Sequence, residues 1–255
     1  MRVSSVLLAT CLALGAAGSA AAAPVRPEMA RIPGGSYVPL FANGRRTVTV
    51  RGFALDRYPV TRAEYLAFVT AQPRWRRGTA RRALAGAGYL ATWPSATSAG
   101  SDAERLPATE VSWFAARAYC AWRGKRLPST DEWEYAARAS ETSRDASRDA
   151  AFTARLLELY LARGRRAVGS TFRNAYGVWD LHGLVWEWTE DFNSLLVSTD
   201  SRATSGRDHA LFCAAGVIGA TDPANYPALL RYGFRAALDG RTTTERLGFR
   251  CAQDL

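Results

Sequence analysis

Apolar and polar positions first alternate as strands and then shift to helical spacing. Met29 to Leu40 (MARIPGGSYVPL) and Arg46 to Leu55 (RTVTVRGFAL) set β-branched residues between Gly, Pro and Asn, which predicts strands joined by a turn at Asn43-Gly44. Thr61 and Glu64 then form a capping box, opening a helix to about Ala71 with Tyr65, Phe68 and Val69 on one face. Ser112 caps a second helix over Trp113 to Arg123, stopped by Gly124, and Ser129 with Glu132 opens a third to about Arg138. A fourth spans Ser147 to Arg163, with Phe152, Leu156, Leu159 and Tyr160 as its stripe and Gly164 as its stop.

Pro73 to Arg105 has no clear period, so it is expected to form a long surface excursion anchored at Tyr89 and Trp93. Beyond Gly169 the runs are short, with Pro227 to Arg231 helical in pattern and Arg246 to Gln253 (RLGFRCAQ) as the expected closing strand. The densest stretch, Asn174 to Asp191 (NAYGVWDLHGLVWEWTED), reads as a buried loop. Gly177 and Gly183 permit backbone angles closed to other residues, and Trp179, Trp186 and Trp188 need a large apolar setting. Asp180 and Glu187 therefore sit among tryptophans, where a carboxylate requires a cation or several hydrogen bonds.

A hydrophobic content of 48% with eight tryptophans in 255 residues implies one folded domain with a real core. Arg2, the apolar run Val3 to Ala17 and the small residues Ser19 to Ala23 read as a signal peptide, too short in its apolar part to cross a bilayer. The expected organisation is thus a leader over residues 1–22, a single domain over 23–255, and a periplasmic or secreted location. The charge of +10 is carried by scattered arginines, dense only from Arg74 to Arg82, so no nucleic-acid partner is expected. Cleavage leaves Cys120, Cys213 and Cys251, an odd number in an oxidising compartment, hence one bridge and one leftover thiol. His182 and His209 are the only histidines, which excludes a three-histidine iron or zinc site within one chain. With no G-x-S-x-G, P-loop or G-x-G-x-x-G, serine hydrolase and nucleotide readings have no footing.

Three motifs in order carry a resemblance: Val111-Ser112-Trp113 with AARAYCAWRGKRLPSTDEWEYAARAS, then NAYGVWDLHGLVWEWTEDF, then the terminal LGFRCA. Together they resemble the formylglycine-generating enzyme family, also called sulfatase-modifying factors. The resemblance implies an α+β, C-type-lectin-like fold with much irregular structure. It also implies a Cys120 to Cys251 disulfide, and calcium held by Asp180, the carbonyls of Gly183 and Val185, and Glu187, an all-oxygen set that suits this ion. The family's oxidases hold copper(I) on two cysteines a few residues apart, because soft thiolates suit that ion. Cys213 matches the first of these, but Ala210 stands where the family has serine, and no cysteine stands near Pro227 where the second belongs. The pattern is closer to an exported branch that includes the nitrite reductase accessory protein NirV and the pyoverdine-maturation enzyme PvdO.

Two functions follow as expectations. One is an oxidoreductase or maturation factor acting on a peptide, protein or cofactor through Cys213, with His209, Asp222 and Tyr226 for proton transfer or a second ligand, with or without copper. The other is a non-catalytic binding or accessory module for a periplasmic metalloenzyme, with Cys213 a small buried hydrophobe.

Overall fold

The structure, a computed structural model, describes residues 29–41, 47–193, 220–222 and 224–255. Strand β1 (Met29–Ile32) pairs antiparallel with β4 (Phe53–Asp56), and β2 (Gly35–Tyr37) with β3 (Val48–Val50), so the expected hairpin exists as two stacked segments. The break falls at Gly34, where a Cβ would stand 2.7 Å from the Val50 carbonyl oxygen. Only glycine lets the two backbones approach that closely. The Asn43-Gly44 turn lies outside the described residues. The other edge of β4 takes β7 (Ala252–Asp254), giving the order β1-β4-β7 and joining the beginning and end of the described chain in one sheet.

Local chemistry fixes the helices as the sequence indicates. Helix α1 (Arg62–Ala71) carries the full capping box, Thr61 accepting from the Glu64 amide while the Glu64 carboxylate accepts from the Thr61 amide at 2.8 Å. Helices α2 (Trp113–Trp122) and α3 (Thr130–Ala137) start at the expected caps, Ser112 and Ser129. Helix α4 (Ala150–Leu161) starts later than expected: the Ser147 hydroxyl donates to Asp145 at 2.7 Å, and Asp149 caps the helix instead. Helix α5 (Tyr226–Ala236) extends the helical run seen from Pro227. The closing strand is split into β6 (Leu247–Gly248), parallel to β5 (Trp186–Glu187), and β7, with Phe249, Arg250 and Cys251 buried between them.

Two apolar clusters flank this junction. The larger packs α1 and α2 around Tyr65, Phe68, Trp93, Tyr119, Trp188 and Phe249; the smaller seats α3 on the sheet through Trp133, Ile32, Phe53 and Leu55. The expected surface excursion has more anchors than Tyr89 and Trp93. Tyr89 and Trp93 are buried as anticipated, but so are Trp75, Ala85, Leu90 and Ala99, and the segment forms a wall of the larger cluster. Its lack of period reflects a coiled path whose apolar residues reach the core one at a time. Cys120 in α2 is bonded to Cys251, with Cα atoms 5.6 Å apart, so the disulfide ties α2 to the closing segment across 131 residues. Among the described residues no helix is long and apolar enough to cross a membrane.

Candidate functional site: a buried ion network under an open pocket

The tryptophan-rich stretch turns through Gly177, Asp180 and Gly183, all at positive φ. At Gly183 a Cβ would meet the Leu159 Cβ at 2.6 Å and its carbonyl oxygen at 2.9 Å, so helix α4 and this loop touch only because the residue is glycine. The loop buries Asp180 and Glu187, and each finds partners in the protein. Asp180 accepts from the amide and hydroxyl of Thr171, both at 2.9 Å, and from the Gly169 amide. Glu187 accepts two hydrogen bonds from Arg250, each 2.8 Å, and one from the Trp133 indole at 2.7 Å. Arg250, fully buried, also donates to the carbonyls of Asp56 and Trp179.

This bears on calcium. The Gly183 carbonyl accepts from Arg166, and both Glu187 oxygens are committed to Arg250 and Trp133. A divalent cation wants six to eight free oxygens. Here Gly183 and Glu187 face guanidiniums, so a calcium ion on the expected set would compete with Arg166 and Arg250 for two of its four ligands.

A second buried carboxylate, Glu134 on α3, is gripped from α5. Arg231 donates to both of its oxygens, at 2.9 and 2.6 Å, and Arg235 to one at 2.6 Å. Burial pushes the Glu134 carboxyl up, but the two guanidiniums prevail and hold it at about 2. Two cations against one anion leave excess positive charge inside the fold. Trp133 takes part of it, its ring lying 4.7 Å from Arg235 and 5.6 Å from Arg231. Arg231 donates further to the Tyr160 hydroxyl at 3.1 Å, which lies 2.8 Å from His182 Nδ1, while His182 Nε2 lies 2.8 Å from the Ala137 carbonyl. A carbonyl can only accept, so His182 carries its proton on Nε2 and accepts from Tyr160 on Nδ1. Burial and the Arg231 charge push its pKa down to about 3.

Above this network opens a cavity of about 400 Å³, bordered by Tyr37, Glu134, Arg138, Asp222, Arg231 and Tyr232 among others. Thr221 pins the start of α5 to the β2 side, its amide bonding the Leu40 carbonyl at 2.8 Å and its hydroxyl the Pro39 carbonyl at 2.9 Å. Of the expected catalytic residues, Asp222 and Tyr226 are among the described ones; Asp222 lines this pocket, where its carboxylate accepts from the Ala224 amide. Tyr226 heads α5 but is 61% exposed and is not in the pocket wall. Cys213 and His209 lie outside the described residues. Arg231, Arg235 and Arg250 were not anticipated from sequence. The only advance sign was that buried acids in an aromatic stretch need cations.

A disulfide-tied α+β domain with little regular structure and arginine-neutralised acids beneath one open pocket is the class these features define. The sulfatase-modifying factor enzyme 1-like domain family matches residues 16–255, and the chain belongs to that family. The inactive C-alpha-formylglycine-generating enzyme 2 of Bos taurus is 30% identical over 273 residues, covering 88% of this chain and 87% of the relative. The formylglycine-generating enzyme of Mycobacterium tuberculosis is 27% identical over 297 residues, covering 89% and 98%. The solved structure of PvdO from Pseudomonas aeruginosa shares the fold, with a TM-score of 0.51 and 24% identity over 90% of this chain and 95% of that one.

Proposed function

We propose that this chain is an exported maturation factor that holds a peptide, a protein segment or a small cofactor in the pocket beside Arg231 and acts on it through Cys213, without a copper pair. The observation that carries the reading is the mixed wall of that pocket. Tyr37 and Tyr232 offer aromatic surface, Leu40 and Leu156 apolar surface, and Arg138, Arg148 and Arg231 offer donors beside Asp145 and Asp222. Peptides present this combination of apolar side chains, carbonyls and carboxylates, and convergent polar groups on an apolar wall are what orient such ligands. The excess positive charge around Glu134 makes Arg231 a natural anchor for a carbonyl or carboxylate.

The sulfur count supports chemistry at one thiol. Cys11 falls in the expected leader, and Cys120 and Cys251 are bonded to each other, leaving Cys213 as nucleophile or soft ligand. A single thiolate does not build a two-sulfur copper(I) site, so the reaction for which the mycobacterial relative is named is not assigned to this chain. The signal-like leader and the disulfide support export.

A specific observation favours a second reading. The buried ionisable groups nearby, Glu134 in the pocket wall and His182 linked to Arg231 through Tyr160, titrate far from neutrality, near 2 and near 3, and are fully paired, as in a scaffold that binds without proton transfer. On that reading the chain is an accessory module for a periplasmic metalloenzyme. Maleimide labelling of the native chain without the expected leader, whose Cys11 would add a second thiol, followed by intact mass, separates the two. The first reading expects one adduct without denaturant, absent in Cys213→Ala; an adduct only after unfolding favours the accessory module.

A further inference from the structure

A second cavity, about 310 Å³, lies where the end of α4 meets the start of β6 and α1, and shares no wall residue with the first. We propose that it binds a small polyanion, a molecule carrying at least two oxyanion charges such as a diphosphate or a polycarboxylate.

Five arginines line it, Arg62, Arg163, Arg165, Arg166 and Arg246, against a single acid, Glu245. Gly164, at φ +98°, turns the chain off α4, and three of these arginines fall within the four residues 163–166. What each guanidinium already touches leaves its charge largely uncompensated. Arg166 donates to the Gly183 carbonyl, and Arg246 reaches the carbonyls of Tyr160 and Ala162 at 3.4 Å, all neutral acceptors. Arg165 meets Glu245 at 3.4 Å, but both side chains are more than half exposed, and an ion pair in that setting is worth little.

Arg62 is the buried member, only 6% exposed. Its Nη2 donates to the Thr92 hydroxyl at 3.0 Å, while its Nε has no partner among the described residues. Glu110, beyond Thr92, is already occupied by the Thr92 amide and hydroxyl, each at 2.9 Å. Burial and the Arg165 charge push the Arg62 pKa down, and the nearby Glu110 and Glu245 only partly offset them. Oxyanions satisfy guanidinium forks two oxygens at a time, so a multiply charged ligand relieves several of these groups at once. The walls of Leu106, Pro107 and Leu184 keep the site from being a flat basic patch.

Isothermal titration of the full chain with inorganic pyrophosphate and with citrate, each against acetate at equal ionic strength, tests this. Arg163→Ala with Arg165→Ala removes exposed members without disturbing the core, and Arg81→Ala with Arg82→Ala removes two exposed arginines elsewhere; circular dichroism checks that both fold. The expected result is saturable one-to-one binding of at least one polyanion, weakened about ten-fold or more by the first pair and unchanged by the second. Pyrophosphate alone assigns a phosphate ligand, citrate alone a carboxylate, and both the shared charge. Binding of neither probe, equal weakening by both pairs of substitutions, or acetate binding as tightly overturns the proposal.

Discussion

Glu134 shows most plainly how single residues hold this protein. It is nearly fully buried and neutralises two guanidiniums that are as deeply buried. Glu134→Gln keeps the shape but strands both cations, and stranding a buried charge costs roughly 3–5 kcal/mol. Urea unfolding is expected to show that loss, and a change under 1 kcal/mol would mean that water reaches Arg231 and Arg235. His182 contributes a separate acid sensitivity. Its folded pKa is about 3, below the ordinary 6.5, so the unfolded chain binds the extra proton between these values and stability falls as pH drops through that window. One proton corresponds to about 1.4 kcal/mol per pH unit, a slope expected between roughly pH 6 and pH 4 and expected to shrink in His182→Gln. Glu134 adds its own loss below about 4.5, where the unfolded carboxyl protonates first. At this scale the sequence showed the need but not the partner. Asp180 and Glu187 were visibly acids among tryptophans, yet the cation on Glu187 comes from Arg250, 63 residues away, and nothing local marks that pairing.

Elements were most legible where the signal is local. Both capping boxes formed as read, because a side chain three residues from an amide either closes the box or does not. The coiled 73–105 segment runs largely on the surface with Tyr89 and Trp93 as anchors; the burial of Trp75, Ala85, Leu90 and Ala99 depends on α1 and α2, which only the folded chain supplies. The strongest cross-element tie is the Cys120 to Cys251 bond, implied by resemblance and present in the fold. Closing a loop of 131 residues stabilises by about 5 kcal/mol on the chain-entropy account. Cys120→Ser with Cys251→Ser is therefore expected to lower Tm by roughly 10–20 °C in a chain of this size, read by calorimetry. A shift of only a few degrees would show that the clusters on either side hold α2 without the bond.

Across the whole molecule, family and fold were readable from three motifs because these encode the junction where α2, the tryptophan loop and the closing segment meet. The site was less so: Asp222 reaches the pocket, Tyr226 does not, and two of the four ligands expected for calcium, Gly183 and Glu187, are bonded to arginines. Sulfur and charge organise this chain: one bridge, one thiol outside the expected leader at Cys213, and guanidiniums set against the buried acids. The central proposal is that such a chain does not run copper-pair oxidation. The most direct measurement incubates the full chain with copper(I), oxygen, a thiol reductant and a cysteine-containing peptide substrate of the mycobacterial relative, and follows the peptide by mass spectrometry. The account predicts that the peptide cysteine survives unchanged while the relative converts it in parallel; formylglycine appearing with this chain would contradict it.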